Sequence, residues 1–207
     1  MDLQGKVAII TGARDDIGAA TARRFLKEGA TLVLDETADI AATVDKALAD
    51  HGRIDILVNA AERVFDWCRA VSPHMAQRRY GKIVNLAGSA GRYRSAWFAT
   101  GSSFQSGTVY AAGQGGILAF TRELAFELGP KGVHVNAVVP GLIETREGNR
   151  DWEQLSETAK SYTLLESAVG RRGTPDEVAA VICFLASDRS SYITGTSIDV
   201  NGGWWMS

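Results

Sequence analysis

Apolar residues fall into two rhythms along this chain. Short, mostly apolar runs predict strands at Val7–Ile10, Ala30–Leu34, Ile54–Asn59, Lys82–Leu86, Val133–Val139 and Ser197–Val200. Longer stretches between them predict helices at Ile17–Glu28, Val44–Asp50, Val64–Arg78, Thr108–Leu128 and Trp152–Leu165. Punctuation supports these limits. Gly29 and Gly52 close the first two helices, and Gly129-Pro130 closes the long one. Pro73 is expected to kink or interrupt the third helix. Thr174-Pro175-Asp176-Glu177 is a helix start: a capping threonine, a proline in the first turn, then acids that suit the helix dipole. That helix runs to about Ala186.

Strands alternate with helices throughout. This predicts one α/β domain built on a parallel sheet covered on both faces. A chain of 207 residues suits a single domain, residues 1–207, with a sizeable core. The stretch "GRYRSAWFATGSSFQSG", 91–107, interrupts the alternation and reads as a long loop. Its Arg92, Tyr93, Arg94, Trp97 and Phe98 are candidates to line or cover a pocket, or simply to pack on the surface.

Composition narrows the function classes. A net charge of -2 and no long basic run argue against nucleic acid. No apolar stretch is long enough to cross a bilayer, and Met1–Lys6 lead straight into the first strand without a secretory signal. A soluble, cytoplasmic protein is the expectation. Cys68 and Cys183 have no metal or redox spacing, and His51, His74 and His134 are scattered, so no metal site is expected.

The chemistry begins after the first strand, at "TGARDDIG". A strand, then Thr11-Gly12 and five residues to Gly18, then a helix, is a phosphate-binding arrangement. Gly12 permits the tight turn, Gly18 permits close packing, and the helix start offers unpaired N–H groups. Four further segments follow in order: "ILVNAA" at 56–61, "GKIVNLAGSAG" at 81–91, "VYAAGQGGILAFTRELAFEL" at 109–128 and "VHVNAVVPGLIET" at 133–145. With the ending "YITGTSIDVNGG", the chain resembles a short-chain dehydrogenase/reductase over nearly its whole length.

That resemblance implies a Rossmann-type doubly wound parallel sheet in three layers. It also implies NAD(P)-dependent interconversion of an alcohol and a ketone, and a homodimer or homotetramer formed through the long helices. Family members use a tyrosine as general acid/base, a lysine four residues on that lowers its pKa, a serine on the substrate and a relay asparagine. Tyr110 takes the tyrosine position, and Gln114 stands where lysine belongs. A phenol titrates near ~10, so about one in a thousand is ionised at neutral pH without help. Gln114, a neutral amide, can still hydrogen-bond ribose hydroxyls. Gly88 falls on the serine position, with Ser89 one residue later as the candidate substitute.

Two segments look absent. One would hold an outer strand after Asp35-Glu36; the other would hold the relay asparagine after "NAAE". The sheet is therefore expected to lack one outer strand.

Other positions match the family's cofactor contacts. These are Gly12, Arg14, Ile17 and Gly18 in the turn, Asn59, Ala60 and Ala61 after the third strand, and Pro140, Gly141, Ile143 and Thr145 after the fifth. Asn59 has an equally good reading as a tie between strands. Asp35 and Glu36 at the end of the second strand favour a ribose 2′-OH over a 2′-phosphate, hence NAD over NADP. Asp16 replaces the glycine that lets the pyrophosphate approach. Its carboxylate is expected to cap the first helix itself and to make cofactor binding weak. A second reading therefore stands beside the enzyme: a catalytically silent scaffold, regulatory subunit or ligand-binding protein.

Overall fold

The computed structural model describes residues 1–34, 39–61, 63–92 and 104–206, with the backbone alone for 104–106. Asp35, Glu36, Tyr93, Arg94, Trp97 and Phe98 lie outside the described residues. The elements run β1 (Val7–Thr11), α1 (Asp16–Lys27), β2 (Thr31–Leu34), α2 (Ile40–His51), β3 (Ile56–Asn59), α3 (Val64–Arg78) and β4 (Gly81–Leu86). There follow α4 (Phe104–Leu128), β5 (Val133–Pro140), α5 (Arg146–Glu153), α6 (Glu157–Leu165), α7 (Pro175–Ala186) and β6 (Ser197–Val200).

All pairings in the sheet are parallel, in the order β2-β1-β3-β4-β5-β6. The fold is the expected Rossmann-type α/β sandwich, and among the described residues no strand lies outside β2. Alternation across the strands explains the layers. Ile9, Leu57 and Ile83 face one core with α2, α3 and α4, while Ile10, Val58 and Val84 face a second core with α1 and α7. The strand order reverses between β1 and β3, and ligands bind such sheets at the carboxyl ends of the strands near that point.

Two expectations are corrected. Helix α3 runs unbroken through Pro73, because that residue sits on the exposed face where solvent can take the freed carbonyl. The single helix predicted at Trp152–Leu165 is two, α5 and α6. Ser156 starts the second, accepting a hydrogen bond from the Ala159 N–H at 3.2 Å. The predicted capping at Thr174 is present, with Glu177 reciprocating to form a capping box.

Candidate functional site

The turn after β1 is built as its glycines predict. Gly12 takes a left-handed φ of 63°, and a Cβ on Gly18 would stand 2.0 Å from the Gly12 carbonyl oxygen. Only glycine at position 18 lets α1 pack this closely. Ile17 packs against the second core.

The capping role assigned to Asp16 is corrected. Asp15 is the residue before the helix, and no side chain caps it. Asp16 turns away instead, toward α5. Its Oδ2 accepts from the Arg146 backbone N–H at 2.7 Å, and its Oδ1 lies 3.3 Å from Arg146 Nε. Arg146 Nη2 donates to the Arg14 carbonyl at 2.7 Å and stands 3.9 Å from Asp15 Oδ1. The acids of the turn thus meet the start of α5, which a local reading of the sequence assigns to no partner.

At the end of β4, Gly88, Tyr110 and Gln114 come together. A Cβ on Gly88 would fall 2.4 Å from the Tyr110 hydroxyl oxygen and 3.2 Å from Gln114 Cγ. The Gln114 Oε1 accepts from the Gly88 N–H at 2.5 Å. Its amide oxygen is therefore spent on the strand end. Ser89 opens a 3-10 turn, Ser89–Gly91, that packs against α4. Burial of the phenol pushes the Tyr110 pKa up, and the nearby Glu147 carboxylate adds to the rise. Both act against ionisation.

Asn59 takes the strand-tying role. It is fully buried and donates to Asn85 Oδ1 at 2.9 Å and to Cys68 Sγ at 3.3 Å. Asn85 continues to Thr121 Oγ1 at 3.0 Å, so the chain of bonds links β3, β4 and α4. The Cys68 thiol is pushed up to about 12 by burial, which keeps it neutral and unreactive. Ala60 and Ala61 both donate their N–H groups to Thr11 Oγ1, at 3.1 and 3.2 Å.

After β5, Pro140 pairs with Val200, and the Gly141 N–H donates to the Val200 carbonyl at 3.0 Å. Thr145 caps α5, accepting from Gly148 N–H at 3.0 Å. The Ile143 carbonyl accepts from Arg172 Nη2 at 2.9 Å. Arg172 is 8% exposed, and its guanidinium lies 5.1 Å from the Trp152 ring centre. Arg146, Glu147 and Arg172 are site residues that sequence reasoning missed. Their partners lie far off in the chain, and only the acids of the turn hinted that a cation must answer them.

The fit to a nicotinamide dinucleotide divides. Gly12 and Gly18 shape the phosphate turn. The turn also carries the Asp15 and Asp16 carboxylates, which repel a dianionic group, so the turn as folded does not fit a pyrophosphate. Among the described residues no group of His, Cys, Asp and Glu is placed to hold a metal ion, and no helix is long and apolar enough to cross a membrane.

Comparison with known proteins agrees with this layout. The sequence family described as enoyl-(acyl carrier protein) reductase matches residues 61–205. The chain is 34% identical to the 3-oxoacyl-[acyl-carrier-protein] reductase FabG of Thermotoga maritima, covering 98% of this chain and 99% of that one. It is also 34% identical to the (2S)-[(R)-hydroxy(phenyl)methyl]succinyl-CoA dehydrogenase subunit BbsD of Thauera aromatica, with 98% of each chain covered. A solved short chain dehydrogenase/reductase family protein superposes with a TM-score of 0.80 at 26% identity, covering 98% of both chains. The chain belongs to the short-chain dehydrogenase/reductase family of oxidoreductases. The alignment to the Thermotoga relative spans 256 positions, more than the 207 residues here, so it crosses gaps in this chain.

Proposed function

We propose that this protein is an oxidoreductase that interconverts a secondary alcohol and a ketone with NAD(H), acting on a 3-oxoacyl or 3-hydroxyacyl thioester. The observation that carries the reading is Tyr110, held by α4 with its hydroxyl against Gly88 at the carboxyl end of β4. The substrate class rests on the two relatives named above, one a 3-oxoacyl thioester reductase and the other a hydroxyacyl-CoA dehydrogenase. NAD rather than NADP rests on Asp35-Glu36 following β2. In this reading Tyr110 holds and releases the proton at the substrate oxygen, and Ser89 stands nearest the lost serine. Gln114, Ile143 and Thr145 would hold the nicotinamide half. When bound, the cofactor supplies hydride chemistry. Exposed apolar side chains on α3 and α4, Phe65 and Phe126, support assembly as a homodimer or homotetramer.

The alternative is a catalytically silent scaffold, regulatory subunit or ligand-binding protein, and three features of the site motivate it. The Tyr110 phenol is shifted away from ionisation, Gln114 is bonded to Gly88, and the phosphate turn carries two carboxylates that Arg146 pairs with.

The test is NADH consumption with a 3-oxoacyl thioester, together with calorimetric titration of NADH. Turnover that Tyr110→Phe abolishes, with affinity weaker than micromolar, is the expected result. Turnover indifferent to Tyr110→Phe refutes the role of Tyr110. Neither turnover nor binding establishes the silent reading.

A further inference from the structure

A cavity of about 130 Å³ lies between the end of α6, the segment after β5 and the turn after β6. Its apolar lining is Leu142, Ile143, Leu164, Val169, Val200 and Trp204. Among the described residues that line it, only Ile143 also matches the family's site; Gly88, Tyr110 and Gln114 do not border it. Its walls are tied together. Ser167 Oγ and the Val169 N–H both donate to the Gly202 carbonyl, at 2.9 and 3.0 Å, and Trp204 Nε1 donates to Glu166 Oε2 at 3.0 Å. Gly203 has a left-handed φ of 75°, and a Cβ there would stand 2.7 Å from Ala168 Cβ, so glycine is what brings the last turn this close. On the other side the Gly173 N–H donates to the Leu142 carbonyl, and the Glu144 N–H to the Gly173 carbonyl, both at 2.9 Å. The space is therefore preformed.

The polar side chains around it are already engaged. Thr163 Oγ1 donates to the Ala159 carbonyl at 2.8 Å. Asn201 donates to the Trp205 carbonyl and accepts from the Gly203 N–H, both at 2.9 Å. Arg171 and Glu177 neutralise each other through two bonds, at 2.6 and 3.0 Å. An ion placed here would find no spare opposite charge, and a water needs two to four polar partners. An apolar cavity of about 150 Å³ stays dry and takes benzene. Val169 lines the cavity and is 57% exposed, so it stands at the mouth and marks a way in. We infer that this cavity is a binding site for an uncharged apolar molecule about the size of a benzene ring, separate from the site around Tyr110.

The experiment is calorimetric titration of the full chain with toluene, and with benzoate and benzylammonium as charged rings of similar size. One toluene per chain is expected, with a Kd of about a millimolar or tighter. The charged rings are expected to bind at least about tenfold more weakly. Leu164→Trp fills the cavity and is expected to weaken toluene at least about tenfold. Val169→Trp, at the exposed mouth, repeats the test should the filling disturb α6. Tyr110→Phe is expected to change toluene affinity by less than about twofold. No toluene binding, or binding that survives both tryptophan variants, overturns the inference. Benzoate binding tighter than toluene overturns the ligand class. Loss of toluene in Tyr110→Phe places the ligand in the catalytic cleft instead. Toluene affinity that falls as protein concentration rises gives the mouth to a second copy of the chain, which also overturns the inference.

Discussion

The two ends of the sheet are built differently. At the amino ends of the strands, Asp55 is wholly buried yet fully engaged. It accepts from the Val7 N–H at 2.9 Å, from Arg53 at 2.7 and 2.8 Å and from Arg78 at 3.1 Å. Lys6, Tyr80 and Asp188 form a second linked group at the same end. At the carboxyl ends, where the candidate site lies, the bonds are spread over several groups: the Asn59, Asn85 and Thr121 chain, the Arg146 contacts to Asp16, the Arg92–Asp199 pair and the bond from Gly88 to Gln114. The positions where this chain departs from the family's pattern, Asp16, Gly88 and Gln114, all lie at this second end. What sets the amino end apart is that its heavily bonded carboxylate, Asp55, is also wholly buried.

The sharpest way to break this comparison is Asp55→Ala. It strands two arginines and a backbone N–H, and is expected to cost about 3–5 kcal/mol in urea unfolding. A loss below about 1 kcal/mol contradicts the contrast between the ends. The same carboxylate gives a pH signature. Burial pushes its pKa up, but the bonds from Arg53, Val7 and Arg78 outweigh this and hold it below the ordinary value. A depressed carboxylate adds stability that is complete above its unfolded value of ~3.9 and is lost as the pH falls below it. Acid unfolding of Asp55→Asn should therefore flatten in that window.

Gly18→Ala is next, at about 3 kcal/mol, because its Cβ would meet backbone rather than a side chain that can yield. It shows that backbone packing, unlike the ion pair, is a firm part of the site end. Gln114→Lys follows. A cation four residues from Tyr110 favours the phenolate, and reductase turnover is expected to rise about a hundredfold, at the lower end of acid/base catalysis. Unchanged turnover beside a lowered phenol pKa would place the defect in the turn instead.

The smallest effect is Glu147→Gln, read by ultraviolet titration of Tyr110. The folded pKa is raised, so the neutral phenol contributes stability below its unfolded value of ~10 and loses it as pH rises through the folded one. Removing the Glu147 charge should move the titration to lower pH. No movement would leave burial as the whole cause.

The sequence carried the fold well, since each strand and helix has its own local punctuation. Thr174-Pro175 and Gly129-Pro130 marked their helix limits closely, and the missing outer strand showed as a missing stretch. The site was legible only as positions. Gly88, Tyr110 and Gln114 belong together in the sequence only through the resemblance to the family, since nothing local ties the end of β4 to α4. The destination of Asp16 was not, because its partner lies 130 residues away and a helix-capping aspartate has the same local appearance. Pro73 misled for a related reason: whether a helical proline faces water depends on packing.

The absent strand has a consequence of its own. Among the described residues it leaves β2 as one margin of the sheet, four residues long and with only Val33 buried. An open margin is a template on which another chain can add a strand and start a fibril. Four residues, with Thr31 and Leu34 exposed at their ends, offer such a chain too few rungs to grip. A protein shortened at this place gives up a strand and still keeps its margin too brief to nucleate aggregation.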